Sequence, residues 1–305
     1  MTTLTVPSAP ETRSARDAGA GDRSATRPGS KATRRGNAAA GIVAWVVALL
    51  FFFPVLWMVL TSLHSEPDAA GNPPKLFAPL TLDGYRTFFG SASGASPWPP
   101  LINSAEASVV STLLVLCLAI PAAYALAVKP VRRWTDVMFF FLSTKMLPVV
   151  AGLLPLYIIA KQIGALDTMW YLIVLYTAMN LPIAVWMMRS FLAEVPPALF
   201  EAASLDGAGI VRTLRSVVVP IASPGIAATA LICFIFSWNE LLLANTLTST
   251  VAQTAPVFLT SFVTSQGLFL AKVSAAATVI SLPVLIAGFA AQDKLVQGLS
   301  LGAVK

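Results

Sequence analysis

Six stretches of this chain each run for about 20 residues or more with almost no charge: roughly 39–63, 101–128, 137–160, 169–188, 217–243 and 273–291. Twenty such residues are about what an α-helix needs to cross the hydrocarbon of a bilayer. A helix pairs its backbone N–H and C=O groups within itself, which is what an environment without water demands. The expected fold class is therefore all-α: a polytopic membrane protein with six transmembrane helices.

The charges agree with this. Of 305 residues, 56% are hydrophobic and 11% are charged, against roughly 45–50% and about 25% in soluble domains. Ten of those charges lie in residues 1–38: Arg13, Arg16, Arg23, Arg27, Lys31, Arg34, Arg35, Glu11, Asp17 and Asp22. Too few remain to cover a water-facing surface of this size, which excludes a soluble globular protein. The net charge of +6 sits mostly in the N-terminal stretch, with no basic face carrying interleaved aromatics, so nucleic acid is not an expected partner. Cys117 and Cys233 lie inside apolar runs and read as buried free thiols. One histidine and no Cys/His clustering argue against a zinc site.

Residues 1–38 are rich in Ala, Ser, Thr, Gly and Arg and lack apolar periodicity, which predicts a disordered basic tail. An organelle transit peptide is the alternative for such a tail, whereas the long apolar run that follows it fits a secretory signal poorly. Residues 39–305 form the predicted six-helix domain. With six spans, fifteen Lys and Arg residues fall on one side and four on the other, while Lys145 lies within the third span. The positive-inside bias then places both termini in the cytoplasm. Two long outer loops follow, about 64–100 and 244–272, and loops of this length commonly carry function.

The loop 189–216 carries its own short helix signal. Pro196 and Pro197 precede Leu199, Phe200, Glu201, Ala202, Ala203 and Leu205. Proline suits a first helical turn, where its missing N–H would be unpaired anyway. Gly207 and Gly209 supply the backbone freedom to end the helix. The expectation is a helix lying across the inner face, with Ala202, Ala203 and Leu205 free to insert into a partner.

These residues also carry a resemblance. Glu201-Ala202-Ala203, then Gly207 preceded by Asp206, then Val217-Val218-Val219-Pro220, is similar to the EAA loop of bacterial importer permeases of the ATP-binding-cassette class. The family prefers Ile and Leu where Val217 and Val219 stand. Met146-Leu147-Pro148 with Pro155-Leu156-Tyr157, Trp238-Asn239-Glu240 and the stretch 298–305 resemble the sugar-permease branch typified by the inner subunit of the maltose transporter. Ser143-Thr144-Lys145, Gly267-Leu268-Phe269 and Ala271-Lys272 are closest to its sorbitol/mannitol (polyol) permeases. The match covers about residues 40–305.

The resemblance implies a type I importer permease in a bacterial inner membrane. It also implies a heterodimer with a second permease, completed by two ATPase subunits and an extracytoplasmic substrate-binding protein. Glu201, Ala202, Ala203, Leu205, Asp206, Gly207 and Ala208 would couple to an ATPase. The tail from Gln297 to Lys305 would reach between the two ATPases. The chain has no G-x-x-x-x-G-K-[ST] phosphate loop, so ATP and Mg are expected on the partner ATPase, with no cofactor bound here and no catalysis of its own. Candidate substrate-path residues are Lys145, Tyr176, Asn180, Trp238, Asn239 and Glu240. They offer hydroxyl-matching groups beside aromatic faces, although Lys145 also suits snorkelling to an interface. A disaccharide or glycerol-phosphate importer is the nearest alternative. An ion-coupled secondary transporter and a membrane-embedded enzyme lie further off, the first for want of intramembrane coupling charges.

Overall fold

The computed structural model describes residues 30–71, 73, 75, 77–90, 96–128, 131–264 and 267–303. Its elements are α1 (Ser30–Ser62), α2 (Glu66–Ala69), α3 (Asp83–Phe89), α4 (Trp98–Ala127), α5 (Trp134–Met146), α6 (Val149–Gln162) and α7 (Met169–Ala193). Then follow α8 (Pro197–Leu205), α9 (Ile210–Thr213), a π-turn over Leu214–Val218, α10 (Val219–Ile221), α11 (Ser223–Trp238), α12 (Leu242–Leu247) and α13 (Ala255–Thr260). A two-residue antiparallel ladder, β1 (Val263–Thr264) with β2 (Gly267–Leu268), precedes α14 (Leu270–Ala303). The chain forms two compact units, Met1–Phe53 and Pro54–Lys305, whose boundary lies within α1. Most of the expected disordered tail, 1–29, lies outside the described residues; its last nine residues are helical, in α1.

Among the described residues four helices are long and apolar enough to cross a membrane, and two bent pairs bring the total to as many as six when each pair counts as one span. The fold class is the expected one, but the third and fifth spans are broken rather than continuous. In the third, α5 and α6 meet at 84°. Leu147 precedes Pro148 and both backbones are extended, because a following proline disfavours the helical conformation. In the fifth, the segment Ile210–Ile221 meets α11 at 83°. Pro220 has no N–H to continue the ladder, and just before it the Val219 N–H reaches back five residues to the Leu214 carbonyl, the π-turn. The span proper is α11, 16 residues or about 24 Å, shorter than the expected 217–243. Pro54, Pro121, Pro155, Pro182 and Pro283 lie inside continuous helices.

The core of the second unit is α4 packed along α7 and α11. The buried face of α4 is mostly small, with Ser104, Ala107, Ser108, Ser111, Thr112, Ala119 and Ala123 beside the larger Val115, Tyr124 and Leu126. Lipid tails are as apolar as any side chain, so close backbone approach, not hydrophobic exclusion, drives such packing. Gly225 shows how close. A β-carbon there would overlap Phe191 Cγ and fall 2.6 Å from Cδ2, well inside contact distance. Gly225→Ala is therefore expected to lower stability by about 1–3 kcal/mol. Adding Phe191→Leu should give a loss smaller than the two single losses summed, read as thermal midpoints in detergent.

The end of the bundle away from α8 is tied by side chains that cap backbone. The Glu66 carboxylate accepts the Ala271 and Lys272 N–H groups at 3.2 and 2.9 Å, at the start of α14. Ser104 Oγ accepts the Ala255 N–H at 2.8 Å, and the Asn103 amide donates to the Val251 and Gln253 carbonyls. Asp167 receives the N–H groups of Ser249, Thr250, Val251 and Ala252 at 2.9–3.1 Å. Burial alone would raise its pKa, but the backbone donors of Ser249, Ala252 and Val251 outweigh it and hold the carboxyl well below the usual range.

Candidate functional site

The helix α8 begins on Pro197, behind Pro196 in an extended conformation, and ends in a Schellman motif. The Ala208 N–H donates to the Ala203 carbonyl at 3.0 Å and the Gly207 N–H to that of Ser204 at 3.1 Å. This closure needs a left-handed residue, and Gly207 supplies it at φ +70°. Phe200 and Ala203, three residues apart, turn inward, and Phe200 meets Tyr124 of α4 edge-on at 5.8 Å. The helical period then sends Glu201, Ala202, Leu205 and Asp206 outward. Ala203, expected among the inserting residues, thus belongs to the packed side, while Ala202 and Leu205 face out.

The outward face continues past Gly207. Leu205, Ile210 and Val211 are 89%, 64% and 78% exposed, with Glu201, Asp206 and Arg212 exposed around them. A cleft of about 340 Å³ lies on one flank of α8, lined by Tyr124, Leu192, Phe200, Glu201 and Thr213 among others. A second, of about 410 Å³, lies on the other, with Leu199, Ala202, Arg212 and Val217. An apolar strip rimmed by both signs of charge is the composition of a protein-docking surface. Ile210 and Val211 escaped the sequence reading because a two-residue apolar step in a polar loop carries no period.

The six candidate path residues separate into two groups. Tyr176, Asn180 and Trp238 are buried among the chain's own helices. Tyr176 Oη donates to Glu240 Oε2 at 3.2 Å, and Glu240 in turn accepts the Leu243 and Ala244 N–H groups, capping α12. Asn180 Nδ2 donates to Ser237 Oγ at 2.9 Å, and Ser237 meets Ser111 of α4 at 3.1 Å. Trp238 Nε1 donates to the Ile280 carbonyl at 3.0 Å. Lys145 and Asn239, by contrast, are exposed. Asn239 uses its amide N–H on the Ile235 carbonyl, and Lys145 Nζ lies 5.8 Å from the centroid of the Phe236 ring. Sequence reasoning passed over Phe236 as one apolar residue in an apolar run.

Residues 116–301 match the family model described as "Binding-protein-dependent transport system inner membrane component". The chain belongs to this family. As an importer permease it is 38% identical over 260 residues to the probable ABC transporter permease protein y4oR of Sinorhizobium fredii, covering 85% of this chain and 92% of that one. It is 36% identical over 256 residues to the trehalose transport system permease protein SugB of Mycobacterium tuberculosis, covering 83% and 92%. The sulfoquinovosyl glycerol transport system permease protein SmoH of Agrobacterium fabrum is 32% identical, covering 92% and 98%. The permease fold also matches a crystal structure of a bacterial ABC transporter involved in the import of alginate, an acidic polysaccharide. The TM-score is 0.69 at 21% identity, covering 87% of this chain and 98% of that one. Such permease subunits are non-catalytic membrane components of a transporter complex that includes an ATPase and a substrate-binding protein.

Proposed function

We propose that this permease subunit serves an importer of a sugar or sugar alcohol and that α8 is the helix through which a separate ATPase drives it. The observation that carries the coupling role is the exposed strip Leu205, Ile210 and Val211, held at a fixed angle by the Gly207 closure. Docked in an ATPase cleft, Glu201, Ala202, Leu205, Asp206, Gly207 and Ala208 form the contact, while Phe200 on Tyr124 of α4 and the buried Ala203 seat the helix from behind. ATP and Mg stay on the ATPase. The charge bias assigns both termini to the cytoplasm, and the capped loop around Asp167 faces outward toward the binding protein. Lys145 and Asn239 line the path, formed with a second, different permease, and Tyr176, Asn180, Trp238 and Glu240 hold the helices behind it. The C-terminal contact with the ATPases concerns 297–305, whose side chains lie outside the described residues.

Within this class the polyol reading rests on the Ser143-Thr144-Lys145 and Ala271-Lys272 likenesses. A disaccharide is the second reading, favoured by the relative named for trehalose transport. A thermal-shift screen of the cognate binding protein against mannitol, sorbitol, trehalose and maltose separates them. Stabilisation by the first two alone supports the polyol, and by the last two alone overturns it. For the class itself, uptake into proteoliposomes should require ATP, the ATPases and the binding protein together. Uptake driven by a proton gradient without ATP would replace it with a secondary transporter.

A further inference from the structure

A lysine and an asparagine side chain exposed at membrane depth are costly against lipid, and such groups face a partner or a water-filled path. Lys145 lies about 16 Å along α5 from Trp134, and Phe236 about 20 Å along α11 from Ser223. Measured along the helix axes, these positions stand about half and about two-thirds of the way across a hydrocarbon core of about 30 Å. Phe236 is 44% exposed and shares its face of α11 with Asn239, three residues on. Immediately after Lys145 the span breaks at 84°, with extended backbone at Leu147 and Pro148. Irregular backbone at this depth is tolerated only where it is buried in protein or lines a wet cavity. Met146 and Leu147, at the break, are 85% and 68% exposed, so this backbone is not buried within the chain. The two acids nearest in sequence to these residues are engaged or distant: Glu240 caps α12 and binds Tyr176, and Asp136 sits in the first turn of α5, more than two turns away. Lys145 has no carboxylate within ion-pair distance among the described residues; its ammonium lies 5.8 Å from the Phe236 ring centroid, near the outer limit of a cation–π contact.

We propose that Phe236 is the stacking platform of this permease's half of the transport path and that Lys145, held over it at the break between α5 and α6, is an electrostatic selector that admits neutral or anionic carbohydrate and rejects protonated amino sugars. The ring offers an apolar face to C–H groups, Asn239 an amide to hydroxyls, and the ammonium a donor that repels a second cation. This inference rests on the importer reading above and adds Phe236 and the charge rule to it.

The test uses the assembled transporter reconstituted in proteoliposomes, with Cys117→Ser and Cys233→Ala as background and single cysteines placed by Phe236→Cys, Asn239→Cys and, as a control, Phe139→Cys. Phe139 is a 75% exposed residue of α5, taken to face lipid. The probes are two water-soluble methanethiosulfonates, one carrying a sulfonate and one a quaternary ammonium, each rate normalised to that with a free thiol. Positions 236 and 239 are expected to react at least tenfold faster than position 139. At position 236 the sulfonate should be favoured over the ammonium by threefold or more, and Lys145→Gln should abolish that preference. Reaction at 236 no faster than at 139 overturns the platform. An unchanged preference after Lys145→Gln, or none before it, overturns the selector, as would an acid of the second permease neutralising Lys145. If the cysteine-free background does not assemble, Phe236→Ala and Phe236→Tyr in the native background decide: the inference requires a loss of at least tenfold in uptake of the sugar that the binding protein carries for Ala and less than threefold for Tyr. ATP hydrolysis stimulated by the binding protein is recorded in the same vesicles. Its absence in the unmodified complex overturns the importer reading and this inference with it, whereas its presence alongside an unreactive position 236 overturns the inference alone.

Discussion

Gly207→Val is expected to leave the permease in the membrane and to lower ATP-driven uptake at least tenfold. Gly207 sits at φ +70°, where a β-branched side chain costs about 1–2 kcal/mol or more. Space is not the obstacle, since a β-carbon there meets nothing within 4 Å. The strain instead competes with the two bonds that close α8, Ala208 to Ala203 and Gly207 to Ser204. Once they open, Leu205 on α8 and Ile210 beyond it no longer hold one relative position, and the strip proposed to meet the ATPase is lost. A graded series separates this from a general loss of fold. Asparagine tolerates the left-handed region, so Gly207→Asn should keep more than a third of wild-type uptake, with Gly207→Ala between the two. The thermal midpoint in detergent should move by only a few degrees across the series, because α8 is held independently by Phe200 on Tyr124. Equal uptake by all three variants would show that α8 does not transmit the stroke.

Asp167→Ala is expected to be the most destabilising single change at the opposite end. The substitution removes the acceptor for four consecutive N–H groups and for the Ser249 hydroxyl. It also leaves alanine at φ 56°, which asparagine or glycine would tolerate. Hydrogen bonds to an ionised group contribute about 1.5–3 kcal/mol; with several of these bonds open to solvent, a total near 2 kcal/mol is expected. The loop 248–254 should become the first site of proteolysis, and binding-protein-dependent uptake should fall with it. The pH dependence has a definite sign. The carboxyl is held below its ordinary range in the folded chain, so its contribution is complete above the unfolded value near 4 and is lost as pH falls through the folded value. The gap in stability between wild type and Asp167→Ala should therefore be constant from about pH 5 to 8 and shrink below about pH 4. A gap that grew in acid would contradict this account of the clamp.

Much of the site was legible because it depends on local chemistry. Pro197 before Leu199 to Leu205, with Gly207 after, predicted both ends of α8, and each end is decided within about four residues. The sides of α8 were less legible. Ala202 and Ala203 look alike in sequence, and only the seat of Phe200 on Tyr124 decides that Ala203 faces in and Ala202 out. The candidate path residues show the same limit. Tyr176, Trp238 and Glu240 carry groups suited to a carbohydrate, but Tyr176 bonds to the distant Glu240, Trp238 to the distant Ile280, and Glu240 also caps the adjacent start of α12.

By itself the sequence determined that this chain crosses a membrane, about how many times, and which segment interrupts the pattern. Those properties follow from the transfer cost of charge and backbone, which is a sum over neighbouring residues. Tertiary structure alone decided where the third and fifth spans break, which of two adjacent alanines faces out, and that Lys145 lies over Phe236 with no carboxylate beside it among the described residues. Hydropathy averages over a span and is blind to direction. Facing is set by contacts between residues such as Lys145 and Phe236, which lie far apart in the chain and meet only when the helices pack.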